Sequence, residues 1–218
     1  MEIIAVFQPT IPLLATDFAA PHWQAAVAHP IQYNWRGDEA PIELKTSARV
    51  LWTPEAILFG YECNYTELDV DVEFDVSEER HALWDRDVCE AFIRSPLEPD
   101  ARIYKEFEVA PTGQWVDLLI NRIEGTHDWQ WKSGMKTAAQ IDEDRWRVAM
   151  AIPFSAFGIT PQVGDAWDAN LFRVSRLHGE RQFLAYAPTL TEKPSFHVPE
   201  RFVKLRFITA EEAQDGKR

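Results

Sequence analysis

Leu58-Phe59-Gly60-Tyr61-Glu62-Cys63-Asn64-Tyr65 places Phe59, Tyr61, Cys63 and Tyr65 on one side when the chain is extended. Successive side chains of a strand point to opposite faces, so this period of two marks a half-buried strand rather than a helix. Working outward, residues 48–52 form a second β-rich run, joined to 57–65 by the turn Thr53-Pro54-Glu55. Further strands are expected at 88–94, 103–109, 115–120, 145–152, 166–175, 181–186 and 202–207. The turn signals Ser95-Pro96, Ala110-Pro111-Thr112-Gly113, Phe157-Gly158 and Val163-Gly164-Asp165 separate them. Many short strands with Gly/Pro turns and almost no helical period predict an all-β fold. The expected architecture is a single antiparallel β-sandwich domain of jelly-roll type over residues 1–218. Residues 1–40 mix Pro, Ala, His and Trp without sustained periodicity and read as an irregular, partly extended N-terminal stretch. A short C-terminal helix is expected at 209–214, capped by Thr209 with acids in its first turn, followed by a frayed tail. Residues 153–157 can form a further helical turn.

Composition narrows the function. Thirteen Phe, nine Trp and five Tyr are more large rings than a core of this size requires. Either the core is rich in aromatics, or some rings face outward to meet a ligand. A net charge of −13 argues against nucleic acid, which is held by Lys and Arg, and against anionic membranes. No stretch is long and apolar enough to read as a membrane span. The first twenty residues hold Glu2, Gln8 and two prolines, with no basic start before an apolar run. They do not read as a signal peptide, which gives a cytoplasmic expectation with export left open. Cys63 and Cys89 sit in apolar runs and read as two small buried hydrophobes, although one bridge between them is possible.

The usual catalytic signatures are missing. The nine glycines make no phosphate loop, and G-x-S-x-G, H-E-x-x-H and C-x-x-C do not occur. The six histidines never fall three or four residues apart, so no local metal pair stands out. The run His81-Ala82-Leu83-Trp84-Asp85-Arg86-Asp87-Val88-Cys89-Glu90 is more informative. Trp84 lies in a polar loop before a strand, and Asp87 and Glu90 flank the strand's start. A sugar ring has an apolar C–H face and a rim of hydroxyls, which an aromatic plate with carboxylates beside it satisfies together. Trp84 could equally cap the end of the sandwich core.

At this point the chain resembles the family 9 carbohydrate-binding modules. The resemblance rests on Trp84-x-x-Asp87-x-x-Glu90-Ala91-Phe92-Ile93 and Tyr104-Lys105-x-Phe107-x-Val109-x-Pro111-x-Gly113. It continues through Trp146-x-Val148-x-x-x-Ile152-Pro153-Phe154, Gly164-Asp165-x-Trp167-x-x-Asn170-x-x-Arg173 and His197-x-Pro199-x-x-Phe202, spanning about residues 45–207. The resemblance implies a β-sandwich and a slot in which two rings hold a mono- or oligosaccharide while polar groups read its hydroxyls. Trp84 and Glu90 match the family's first aromatic and its carboxylate. No Trp follows Trp167, so Tyr186, Phe196 or His197 would stand in for the second ring. Lys105 falls where the family often places Arg, a better fork for hydroxyls. Asn170 and Arg173 follow in a later strand, where Arg173 either reaches the ligand or pairs with an acid.

Two further groups compete for roles. Leu68-Asp69-Val70-Asp71-Val72-Glu73-Phe74-Asp75-Val76 alternates acid and apolar residues. As a strand it would present solvated charges that block edge pairing, or Asp69 and Asp71 would bind Ca²⁺, which some family members carry structurally. Trp115, Trp129 and Trp131 could widen a binding platform or cover the core. The expected function is therefore non-catalytic saccharide binding. The alternatives are a haem-binding electron-transfer sandwich, with His81 or His197 as axial ligand, and a glycoside hydrolase built on two of the 35 acids.

Overall fold

The first strand sits at the centre of the sheet. The computed structural model describes residues 1–10, 14–73, 75–76 and 78–215. In chain order it contains β1 (Glu2–Phe7), α1 (Pro21–Ala25), β2 (Ala28–Ile31), β3 (Tyr33–Asn34), β4 (Thr46–Trp52) and β5 (Ala56–Asn64). Then follow β6 (Val88–Arg94), β7 (Ile103–Val109), β8 (Trp115–Asn121), β9 (Thr126–Asp128), β10 (Lys136–Ile141) and β11 (Arg145–Pro153). The chain ends with β12 (Ala166–Leu177), β13 (Glu180–Ala185), β14 (Val203–Ile208) and α2 (Ala210–Asp215).

Among the described residues, all fourteen strands belong to one curled sheet, in the order β10-β11-β5-β4-β1-β14-β12-β6-β7-β8-β9, with β2, β3 and β13 attached at its sides. The two halves of the sheet fold onto each other. Phe59, Tyr61, Val148 and Met150 from one half meet Ala91, Phe107, Trp167 and Leu171 from the other in a common core. Cross-core contacts make the same point: the Tyr61 hydroxyl donates to the Glu90 carbonyl at 2.8 Å, and the Cys63 and Cys89 sulfurs lie 3.5 Å apart as free thiols. The architecture is thus a β-sandwich, mixed rather than purely antiparallel. β1 runs parallel to both β4 and β14 and stitches the two halves together.

That strand corrects the expectation of an irregular N-terminus. Glu2–Phe7 is covered on both faces, Ile3 and Ala5 in the central core and Val6 under the N-terminal segment. A strand buried on both sides shows no alternation, so periodicity could not find it. The alternating acids at 68–76 are corrected in the opposite sense: among the described residues they form loop and bends, not a strand. Phe74 lies outside the described residues. Four consecutive acid–apolar cycles satisfy the pattern, but among the described residues of this stretch none enters a strand ladder. The short C-terminal helix is present. Thr209 and Glu212 cap it reciprocally, the Thr209 hydroxyl accepting from the Glu212 amide at 3.2 Å and the Glu212 carboxylate accepting from the Thr209 amide at 2.8 Å. The tail expected to fray falls largely at 216–218, outside the described residues.

The outer face of each half carries its own apolar cluster. On the β1–β4–β5–β11 half, Phe18, Trp23 and Ala213 pack over Val6, Leu51, Leu58 and Ala149. Gly60 permits this: a Cβ there would come within 2.8 Å of the Phe18 ring and 2.9 Å of Trp23. On the other half, Phe92, Tyr104, Val116, Leu118, Phe172 and Val174 form a second apolar face, covered only in part by loops at 81–85 and 194–202. That incompletely covered face positions the candidate site.

Candidate functional site

Strand parity decides which side chains reach this face. Along β6, Cys89, Ala91 and Ile93 enter the sandwich core, which sends Glu90 and Phe92 outward. Along β7, Phe107 and Val109 point inward, so Tyr104, Glu106 and Glu108 share the outer face. Phe172 and Val174 of β12 and Phe183 of β13 extend the same surface. Of these, Glu90, Phe92, Glu106, Val174 and Phe183 floor an open cavity of about 300 Å³, with Tyr104, Glu108 and Phe172 just behind them. Trp84, His127, Arg181 and the loop Pro194-Ser195-Phe196-His197 form its walls. The volume lies at the lower end of the range for ligand pockets, roughly 300–1,000 Å³.

The walls are aromatic and braced. Phe196 stacks on Phe172, ring centres 4.2 Å apart and planes within 13°. Trp84 is half-buried, packed against Trp129 at 5.7 Å and edge-on to His81 at 5.5 Å. His197 lies over Phe92 at 5.2 Å, with its Nδ1 2.8 Å from the Tyr104 hydroxyl. Burial and the neighbouring His127 and Arg122 lower the His197 pKa to about 4, so the ring is neutral and shares one hydrogen bond with the Tyr104 hydroxyl.

The floor is acidic. Glu90, Glu106 and Glu108 are 2%, 3% and 0% exposed. Burial pushes the pKa of all three upward, reinforced at Glu90 by Glu106 and at Glu108 by both partners; Arg181 pulls Glu90 the other way. Glu106 and Glu108 are linked by a hydrogen bond, which requires a proton held within the pair. Such a floor offers strong hydrogen-bond acceptors beside apolar rings, with one guanidinium as donor.

The expected site residues divide into two groups. Trp84, Glu90, Phe196 and His197 come together at the cavity. Asp87, Lys105, Asn170, Arg173 and Tyr186 do not. Asp87 is buried beside Arg173, and burial raises its pKa to about 7 against that arginine's opposing pull. Lys105 points to the opposite face of β7 from Glu106, paired with Glu98 and lying near the Trp131 and Phe157 rings. Asn170 holds the chain after β13, its amide donating to the Ala187 carbonyl and its oxygen accepting from the Ala187 amide. Arg173 is wholly inside the sandwich, donating to the Leu44 and Asn64 carbonyls and the Thr46 and Ser175 hydroxyls, over the Trp146 ring. Its partners are thus mainly carbonyls and hydroxyls. The Tyr186 hydroxyl donates to the Glu2 carbonyl, away from the cavity.

Asp69 and Asp71 are committed elsewhere. Arg86 and Arg176 bind Asp69 at 2.6 and 2.5 Å, and Arg80 binds Asp71 at 2.9 Å. Burial alone would raise the Asp69 pKa, but the two guanidinium groups outweigh it and the net shift is downward. These carboxylates are neutralised by arginine, which leaves them poor cation ligands. Met135 and Met150 belong to the sandwich core. Trp129 and Trp131 part company: Trp129 buttresses Trp84, while Trp131 packs edge-on to Phe107.

Sequence reasoning missed Glu106, Glu108, His127, Arg181 and Phe183. The first two carried a signal. Tyr104-x-Glu106-x-Glu108 puts two acids in period with a tyrosine, on a strand correctly placed at 103–109. A buried strand with acids on one parity has a polar task on that face.

Comparison with known proteins agrees with this fold. The model of carbohydrate-binding family 9 matches residues 22–207. A proposed carbohydrate-binding protein from Bacteroides uniformis superimposes with a TM-score of 0.74 at 19% identity, over 94% of this chain and 98% of that one. A family 9 module from Caldicellulosiruptor kristjanssonii, solved with cellotriose, gives 0.69 at 12% identity over 96% and 94% of the two chains. The same module with glucose gives 0.69 at 12%, over 96% of each. No curated protein matches the chain.

Proposed function

We propose that this chain, which belongs to carbohydrate-binding family 9, holds a mono- or oligosaccharide in the cavity above β6, β7 and β12. The observation that carries the reading is the pairing of rings and carboxylates in one open pocket: Trp84, Phe183, Phe196 and His197 beside Glu90 and Glu106. The rings accept the C–H faces of a pyranose, the carboxylates accept its hydroxyl protons, and Arg181 donates to its oxygens. His197, neutral above about pH 4, completes the wall without adding charge.

The placement of the acids supports binding without catalysis. Glycoside hydrolysis requires two carboxyl groups flanking the scissile bond. Here Glu90 stands directly opposite Glu108 across the β6–β7 pair, and Glu106 lies two residues along on the same face. Glu90 and Glu106 therefore approach a ligand from one side, with Glu108 behind them. Glucose and cellotriose, held by the C. kristjanssonii module, are the first ligands to try.

A glycan array followed by calorimetric titration tests the reading. Trp84→Ala is expected to weaken the best ligand about tenfold, since stacking on an aromatic plate contributes about 0.5–1.5 kcal/mol beyond its buried area. Lys105→Ala, on the far face of β7, should leave the affinity unchanged. Equal losses in both variants, or no saccharide bound at all, would reject the cavity as the site.

A further inference from the structure

We infer that Glu90, Glu106 and Glu108 together hold a hard divalent cation at the floor of the cavity, with its outer coordination positions turned toward the ligand. The second half of this statement rests on the saccharide reading; the first does not.

Three observations carry it. First, the arrangement is costly as it stands. Glu90 and Glu108 are direct cross-strand partners, and like charges placed opposite one another destabilise a sheet, more so when buried. Second, one oxygen from each of the three carboxyls lies within 4.8 Å of the others. Oxygen ligands on either side of a calcium ion, each at 2.3–2.6 Å, stand no more than about 5 Å apart, so the spacing suits one ion without backbone movement. Third, the oxygens are available. Among the described residues no amide, hydroxyl or basic group reaches either oxygen of Glu108 or Oε2 of Glu106, which have only the hydrogen bond between the two acids, although both residues are almost completely buried. Asp69 and Asp71 present the contrast, because arginines occupy them.

Charge and ligand chemistry specify the class of ion. Three ionised carboxylates carry −3, and Arg181, lining the same cavity, supplies +1; a divalent ion brings the sum to zero. An all-oxygen donor set with no Cys or His among the three favours calcium-like or magnesium-like ions over zinc. Glu90 and Glu106 line the cavity and give the ion its route in, while Glu108 closes the set from behind. Hydroxyls of a bound sugar can then complete the ion's shell, which makes saccharide affinity depend on the ion.

The test begins with protein stripped by EDTA, dialysed and titrated with CaCl₂ in a calorimeter. Wild type is expected to bind one Ca²⁺ with a dissociation constant below about 1 mM. Glu108→Gln should weaken that at least about tenfold while the ion-free variant melts no lower than ion-free wild type, because a neutral amide of the same shape replaces a carboxyl that burial and two acid neighbours disfavour as an ion. Asp144→Asn, which touches only the exposed pair with Arg145, should bind as wild type does. Glu90→Gln replaces Glu108→Gln if the latter does not fold. Glucose and cellotriose affinity should fall at least about tenfold in EDTA. Calcium binding that is undetectable, or unchanged in Glu108→Gln, overturns the inference. Saccharide binding of equal strength in calcium and in EDTA also overturns it and leaves the saccharide reading standing. Calcium binding that Glu108→Gln removes, in a protein that binds no saccharide, supports the ion and rejects that reading.

Discussion

Replacing Arg173 by Met separates a structural role from a ligand-reading one. The guanidinium bridges the two halves of the sandwich, reaching from β12 to the Leu44 carbonyl at 3.0 Å, the Thr46 hydroxyl at 2.7 Å and the Asn64 carbonyl at 2.7 Å. Methionine keeps much of the volume over the Trp146 ring but none of the donors. The Leu44 carbonyl retains the Thr46 hydroxyl as a donor, so it is only partly deprived. The Asn64 carbonyl loses a charged donor, and buried Asp87 loses the positive neighbour that most opposes its raised pKa. An unsatisfied buried polar group costs about 1–3 kcal/mol. Relief from burying a guanidinium offsets part of the total. The net expectation is about 3 kcal/mol of lost stability, read by urea unfolding. For a chain of this size that lowers the melting midpoint by roughly 6–12 °C. Below the transition, saccharide affinity should be unchanged. A variant within about 0.5 kcal/mol of wild type, or one with intact stability and weakened binding, would refute the assignment of Arg173 to the core.

Two other changes probe parts of the fold remote from the cavity. His29 accepts the Ile4 amide proton on Nε2 at 3.1 Å, and burial lowers its pKa to about 4. The folded state therefore keeps the ring neutral where the unfolded chain, near 6.5, takes up a proton. Stability from this site is complete above about pH 6.5 and is lost as the pH falls toward 4. His29→Gln should reduce the slope of urea-unfolding free energy against pH in that window, where up to about 3 kcal/mol is at stake; an unaltered slope would show that another group is responsible. Gly60→Ala should destabilise by about 1–3 kcal/mol, because the new methyl meets Phe18 and Trp23 rings at under 3 Å. A thermal midpoint equal to wild type would mean that the N-terminal cover is not seated as described.

What the sequence disclosed follows from how each strand is buried. Strands such as Val88–Arg94 and Ile103–Val109 were placed to the residue, because turn residues bound them and β-rich composition fills them. Glu2–Phe7 was not, because a central strand covered on both faces leaves no alternation to read. The same fact explains the mixed record at the site. β6, β7 and β12 are buried on both sides, one facing the sandwich core and the other the cavity. Sequence parity separates Lys105 from Glu106, and Arg173 from Phe172, but does not say which side meets the ligand. Family resemblance supplied Trp84 and Glu90 together with Lys105, Asn170 and Arg173, and only the fold of the sheet sorts them. Phe196 and His197 were legible as stand-ins for a second ring; Arg181 and Phe183, on a strand with no quoted motif, were not.

Chemical-shift mapping of the backbone amides during a saccharide titration addresses the site most directly. Glucose or cellotriose should move the resonances of Glu90, Phe92, Glu106, His127, Arg181 and His197, while Leu51, Leu58 and Ala149 beneath the opposite outer cluster stay in place. Shifts confined to that opposite face, or a spectrum indifferent to every saccharide tried, would contradict a sugar seat above β6 and β7.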